Sequence, residues 1–273
     1  MTLKRLTCFI LPAIVWFFMC SCNNGDNDNN NNSDTDTQTI PKEQQLKKAV
    51  AQYPDSLLLL ENLIEYYRNN GSYDTAINLT SEAIKKDSEN VELWDIKGTL
   101  LFENGDTLKS IKAYETAINI YPLPEYIISL GTLYAQTKNP KALTMADALL
   151  IADKAKAERE ALFIKGLYYA YTADRQKAII FFDSCVSIDY TYMFAYREKA
   201  IALYDMGKYE DALEVLNKAV TIQNNFDEGY YWRGRCYEKL GRKQDAIENY
   251  QTALLYDKNF IEAKEALARL GVK

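Results

Sequence analysis

From residue 57 onward, apolar residues recur at helical spacing in paired stretches separated by short polar breaks. Three of the segments that follow a break align with one another: GSYDTAINLTSEAIKKD from Gly71, GKYEDALEVLNKAVTIQ from Gly207 and GRKQDAIENYQTALLYD from Gly241. Each carries Gly, then Ala five positions later, then Ala seven positions after that. Ala178, Ala212 and Ala246 lie 34 residues apart, a period that accommodates two helices and their turns. On that frame six units run 57–90, 91–124, 125–158, 159–192, 193–226 and 227–260. Small residues at Gly98, Gly131, Gly166, Ala200 and Gly234, with Ile64 the exception, let the second helix of a pair approach the first. Ala83, Ala117, Cys185, Ala219 and Ala253 do the same on the second helix. Gly71, Gly105, Gly207 and Gly241 sit where a first helix must end, which a left-handed residue does well. Pro54 and Pro122 mark the ends of second helices. The third unit lacks the turn glycine, and 35 residues separate Gly131 from Gly166, so a hairpin with an altered packing angle is expected there. Lys42 to Tyr53 reads as a lone second helix, and 261–271 as a cap helix of the first kind.

The first forty residues follow a different pattern. Lys4 and Arg5 precede an apolar run from Leu6 to Met19, broken by Thr7 and Pro12, as in a secretory signal over residues 1–21. The run closes on Phe18-Met19-Cys20-Ser21-Cys22, which resembles the lipobox of bacterial lipoproteins, with Met19 where Leu is usual. The resemblance implies acylation of Cys22, with Cys20 as the alternative, and an anchor strengthened by multiple chains. Residues 22–41 form an Asn/Asp-rich tether, and from Asn23 to Thr39 no apolar residue supports folding. Such a stretch reaches on the order of 20–25 Å. Asp26 and Asp28 resemble a signal that sends some lipoproteins to the cell surface. The expected location is therefore the bacterial cell envelope, lipid-anchored to the outer membrane, on its periplasmic or cell-surface face.

Composition narrows the chemistry. A net charge of −6, from 32 basic and 38 acidic side chains, gives nucleic acid no global attraction. The absence of His removes the usual general base and the commonest metal ligand, so neither enzyme nor metal site is expected, and no cofactor or small-molecule substrate. Tyr dominates the aromatics, 21 against 10 Phe and 3 Trp, as suits rings that are half-buried with the hydroxyl in water. Cys185 and Cys236, isolated from one another, read as packing thiols.

The 34-residue frame, with its small and aromatic positions, resembles the tetratricopeptide repeat. The resemblance implies an all-α, right-handed superhelical solenoid of antiparallel helix pairs over residues 42–273. It also implies a concave wall lined by the second, fifth, ninth, twelfth and thirteenth positions of each first helix. In the first two units those positions are mostly acidic: Glu61, Glu65, Arg68, Glu92, Asp95 and Glu103. Further along, the expected groove comprises Phe163, Leu167, Tyr171, Arg197, Ile201, Tyr204, Tyr231 and Arg235. The wall would thus pass from acidic to apolar to basic and aromatic. Some chaperone-binding relatives carry Lys or Arg at the fifth position and Asn at the ninth. Here those places hold Glu61 and Glu65, Asp95 and Thr99, Ile128 and Thr132, so that clamp is absent, although Arg197 and Arg235 remain candidates to grip a carboxylate. The function expected is an envelope adaptor that binds peptide or helical segments of other envelope proteins. The alternative is a constitutive subunit of an outer-membrane assembly or secretion machine.

Overall fold

The computed structural model describes residues 40–272, so Cys20, Cys22 and most of the tether lie outside the described residues. Among those residues the structure is helical throughout, without a strand. The helices are α1 (Lys42–Gln52), α2 (Leu57–Asn69), α3 (Tyr73–Lys86), α4 (Val91–Glu103), α5 (Thr107–Ile120), α6 (Pro124–Gln136), α7 (Lys141–Tyr171), α8 (Arg175–Ile188), α9 (Met193–Asp205), α10 (Tyr209–Ile222), α11 (Asp227–Lys239), α12 (Lys243–Tyr256) and α13 (Ile261–Arg269). The described residues divide into two compact units, 40–110 and 111–272.

One device ends every first helix. Its last turn leaves carbonyls without helical partners, and a residue with positive φ turns the chain so that the next amide reaches back to them. Gly71, Gly105, Gly207 and Gly241 adopt this conformation. The amide beyond each glycine donates to the carbonyl five residues back, Ser72 to Tyr67, Asp106 to Leu101, Lys208 to Leu203 and Arg242 to Tyr237. At the equivalent places in the third and fourth hairpins Lys138 (φ 59°) and Ala173 (φ 69°) do the same without being glycine, and Asn139 and Asp174 complete the bond to Tyr134 and Tyr169.

Helical residues run uninterrupted from Lys141 to Tyr171, yet α7 is not a straight rod. Lys165 Nζ reaches Asp147 at 2.8 Å, whereas 18 residues of straight helix span about 27 Å. A methyl group at Gly131 would lie 3.1 Å from Met145 Cβ and 2.9 Å from Ile164 Cδ1, so residues from both ends of α7 flank the same point on α6. α7 therefore doubles back between Asp147 and Lys165. It supplies the second helix of the third hairpin and the first helix of the fourth, with neither Gly nor Pro at the reversal.

In the first unit Leu63, Ile64, Tyr67, Ala76 and Leu100 form a core, with Leu46 and Val50 of α1 laid against it. The Tyr67 hydroxyl donates to Glu43 at 2.7 Å, which ties α1 to α2. In the second unit the missing Cβ atoms set the packing. A methyl at Gly166 would stand 2.5 Å from the ring of Phe182, and one at Gly234 2.6 Å from the ring of Tyr250. Both rings are fully buried, each worth roughly 1.5–3 kcal/mol of apolar burial.

Candidate partner-binding face

In the second unit α9 touches both α7 and α11, so the first helices of three successive hairpins form one layer. Side chains meet across this layer at a fixed offset. Arg197 pairs with Glu228, Tyr204 with Arg235, and Glu238 with Arg269, each 31 residues apart. The repeat is 34 residues, so neighbouring first helices are displaced by about one turn.

Half of the residues expected on the wall are used for packing. Phe163, at 4% exposure, packs against Phe182 at 5.8 Å and Tyr192 at 5.1 Å between ring centres. Leu167 is fully buried. Tyr231, also at 4% exposure, meets Phe260 at 5.0 Å and Tyr250 at 5.7 Å. These first helices are sandwiched between their own partners and the next hairpin, so the fifth position of the fourth and sixth hairpins fills a core. Tyr171, Ile201, Tyr204 and Arg235 remain half-buried. Trp232, next to this set, is buried.

Arg197 is likewise corrected from groove to core. It is 1% exposed; its Nε donates to Glu198 at 2.9 Å and its Nη1 to Glu228 at 2.7 Å. Burial alone would lower its pKa, but the two carboxylates outweigh burial and hold it above the ordinary value. Burial pushes Glu198 up, with Arg197 opposing. Burial, and then the charge of Glu198, also push Tyr171 up, so it stays a neutral phenol. The guanidinium expected to grip a partner's carboxylate thus grips carboxylates of its own chain.

Arg235 stands differently. Its Nη1 donates to the Tyr231 hydroxyl at 3.0 Å and its Nη2 to the Tyr204 hydroxyl at 3.2 Å. Its carbon centre lies 5.3 Å from the ring of Tyr204, 5.9 Å from that of Tyr231 and 5.3 Å from that of Trp232, within cation–π range. Burial opposes its charge, and the two tyrosine hydroxyls that accept from it hold its pKa above the usual value. Among the described residues no carboxylate forms an ion pair with it. Glu238, one turn on, accepts from Arg269 at 2.8 and 3.0 Å, and Glu228 is taken by Arg197.

Glu228 and Arg269 were not among the residues singled out from sequence. The signal that finds them is opposite charge at an offset of 31, which becomes visible once one such contact is known. Burial pushes the thiols of Cys185 and Cys236 up to about 12, so both are protonated and unreactive near neutral pH.

Family profiles described as TPR repeat and Tetratricopeptide repeat match residues 201–241, 227–260 and 61–123. The fold is also that of a tetratricopeptide repeat protein from Parabacteroides merdae, with a TM-score of 0.71 at 23% identity over 84% of this chain and 91% of that one. This is a tetratricopeptide-repeat protein. Among curated proteins it is similar to a DnaJ homolog subfamily C member 7 homolog of Schizosaccharomyces pombe, 21% identical over 226 residues, which are 82% of this chain and 43% of that one. A protein of the same description from Dictyostelium discoideum is 25% identical over 222 residues, covering 70% of this chain and 40% of that one. The tetratricopeptide-repeat chain thus spans less than half the length of these relatives. They also overturn the expected location. They come from organisms that have no bacterial envelope, so the outer-membrane location, which rested on the resemblances within the first forty residues, is withdrawn.

Proposed function

We propose that this protein is an adaptor and that the first-helix layer of its second unit receives an extended or helical segment of a partner protein. Repeat solenoids present such layers as continuous binding surfaces, and aromatic and arginine side chains are the types that anchor partners at interfaces. The observation that carries the reading is the division of labour on this layer. Phe163, Leu167, Arg197 and Tyr231 are consumed by packing, while Tyr171, Ile201, Tyr204 and Arg235 stay half-buried on three successive helices. A photo-reactive amino acid at Tyr171, Ile201 or Tyr204 should capture the partner in cells, and Ile201→Asp should abolish that capture. Capture only from Ile180 on α8 or Leu255 on α12, both exposed, would overturn this assignment. One partner recovered at a fixed ratio would identify a constitutive subunit instead of an adaptor.

Acylation of Cys22, with Cys20 as the alternative, is a separate proposal supported by the residues around it. Cys22→Ser should abolish incorporation of a labelled fatty acid.

A further inference from the structure

We infer that Arg235 is the docking point for a side-chain carboxylate, an aspartate or glutamate inside the partner segment rather than the end of its chain. The inference rests on the groove reading above and names what that groove recognises. Four observations lead to it. First, Arg235 carries a half-buried positive charge that no described carboxylate meets, although three acidic residues stand on its own helix. Glu228 is occupied by Arg197 and Glu238 by Arg269, and Asp227 stands in the first turn, about two turns from Arg235. A cation whose nearby counter-charges are tied up is complementary to an acidic ligand.

Second, the guanidinium is preorganised. Two of its nitrogens are fixed by the Tyr231 and Tyr204 hydroxyls, and three rings surround it, so little side-chain entropy is lost on binding. Third, the donor count fits one carboxylate. A guanidinium has five N–H groups; two are used here, which leaves donors for a planar carboxylate, and the Tyr204 hydroxyl proton stands beside them. Fourth, Tyr204 and Ile201 lie on the neighbouring helix, so the residue next to the acid meets aromatic and aliphatic surface.

The test is a selection of random twelve-residue peptides on the full chain, displayed with their C-termini fused so that no free terminal carboxylate is present. The expected result is enrichment of Asp or Glu beside an aliphatic or aromatic residue. Changing that acid to its amide should weaken binding to the unaltered protein about tenfold. The same change should alter binding to Arg235→Met by less than about twofold, because the partner of the acid is already gone. Arg235→Gln, which keeps hydrogen-bonding capacity toward the tyrosines, guards against a folding defect and should behave as Arg235→Met does. If selected peptides depend on Ile201 yet tolerate the acid-to-amide change in the unaltered protein, carboxylate docking is wrong and the groove stands. If no selected peptide loses binding to Ile201→Asp, the groove reading itself fails.

Discussion

At the scale of single residues, two positions show how the fold uses side chains against their own preference. Ala173 holds a left-handed conformation that costs an L-residue roughly 1–2 kcal/mol. Ala173→Gly removes that strain and adds unfolded-state entropy worth about 0.4–1 kcal/mol. The net effect should be stabilisation of about 0.5–1 kcal/mol, read as a melting temperature about 2–3 °C higher. Arg197 presents the opposite case. It neutralises Glu198 in the interior, and Arg197→Met would leave that carboxylate buried without a cation at a cost of about 3–5 kcal/mol. The pH dependence follows from the sign of the shift. Burial raises the folded pKa of Glu198, and removal of Arg197 raises it further. Such a group contributes stability below its unfolded pKa and loses it as pH rises through the folded pKa. The deficit of Arg197→Met should therefore be smallest in acid and grow toward neutral pH, as chemical denaturation at several pH values will show.

At the scale of helices, close approach of a first helix to its partner depends on the absence of a Cβ. At Gly234 the added methyl would meet Tyr250 at 2.6 Å, and the buried ring has no room to retreat. Gly234→Ala should cost about 1–3 kcal/mol through overpacking, measured by urea unfolding. Arg269 on α13 offers a test in which stability hardly moves. Its pair with Glu238 is largely exposed on the arginine side, so Arg269→Ala should change stability by less than about 1 kcal/mol. It also frees Glu238 to turn toward Arg235 one turn away, and binding of the acidic peptides should weaken. Much at this scale was legible beforehand. Gly166 and Gly234, expected as close-contact positions, face the rings of Phe182 and Tyr250. The reversal inside α7 was expected only as a hairpin of unusual angle, because no Gly or Pro marks the place where it folds back.

At the scale of the whole molecule, successive hairpins of the second unit contact one another in chain order, so a local defect there should spread to adjacent repeats and fade beyond them. For Gly234→Ala, amide exchange should accelerate first in α11, α12 and α13 and leave α2 to α4 at native protection. Equal acceleration in both units would show a single cooperative structure.

By itself the sequence determined the all-helical class, the 34-residue period and the residues that end most first helices. Those features follow from local rules, in which helical spacing, small contact residues and turn glycines each act within a few positions. It did not determine which first-helix side chains stay accessible and which are buried. Phe163 and Tyr171 occupy positions of the same formal kind, yet the first fills a core against Phe182 while the second stays half-buried. Arg197 and Arg235 are both arginines on first helices, one silenced by Glu228 and the other left without a carboxylate because Arg269 holds Glu238. Burial and ion pairing depend on the one-turn displacement between neighbouring helices, a distance fixed only when the hairpins are stacked, and so the tertiary structure decided which of these side chains stay accessible.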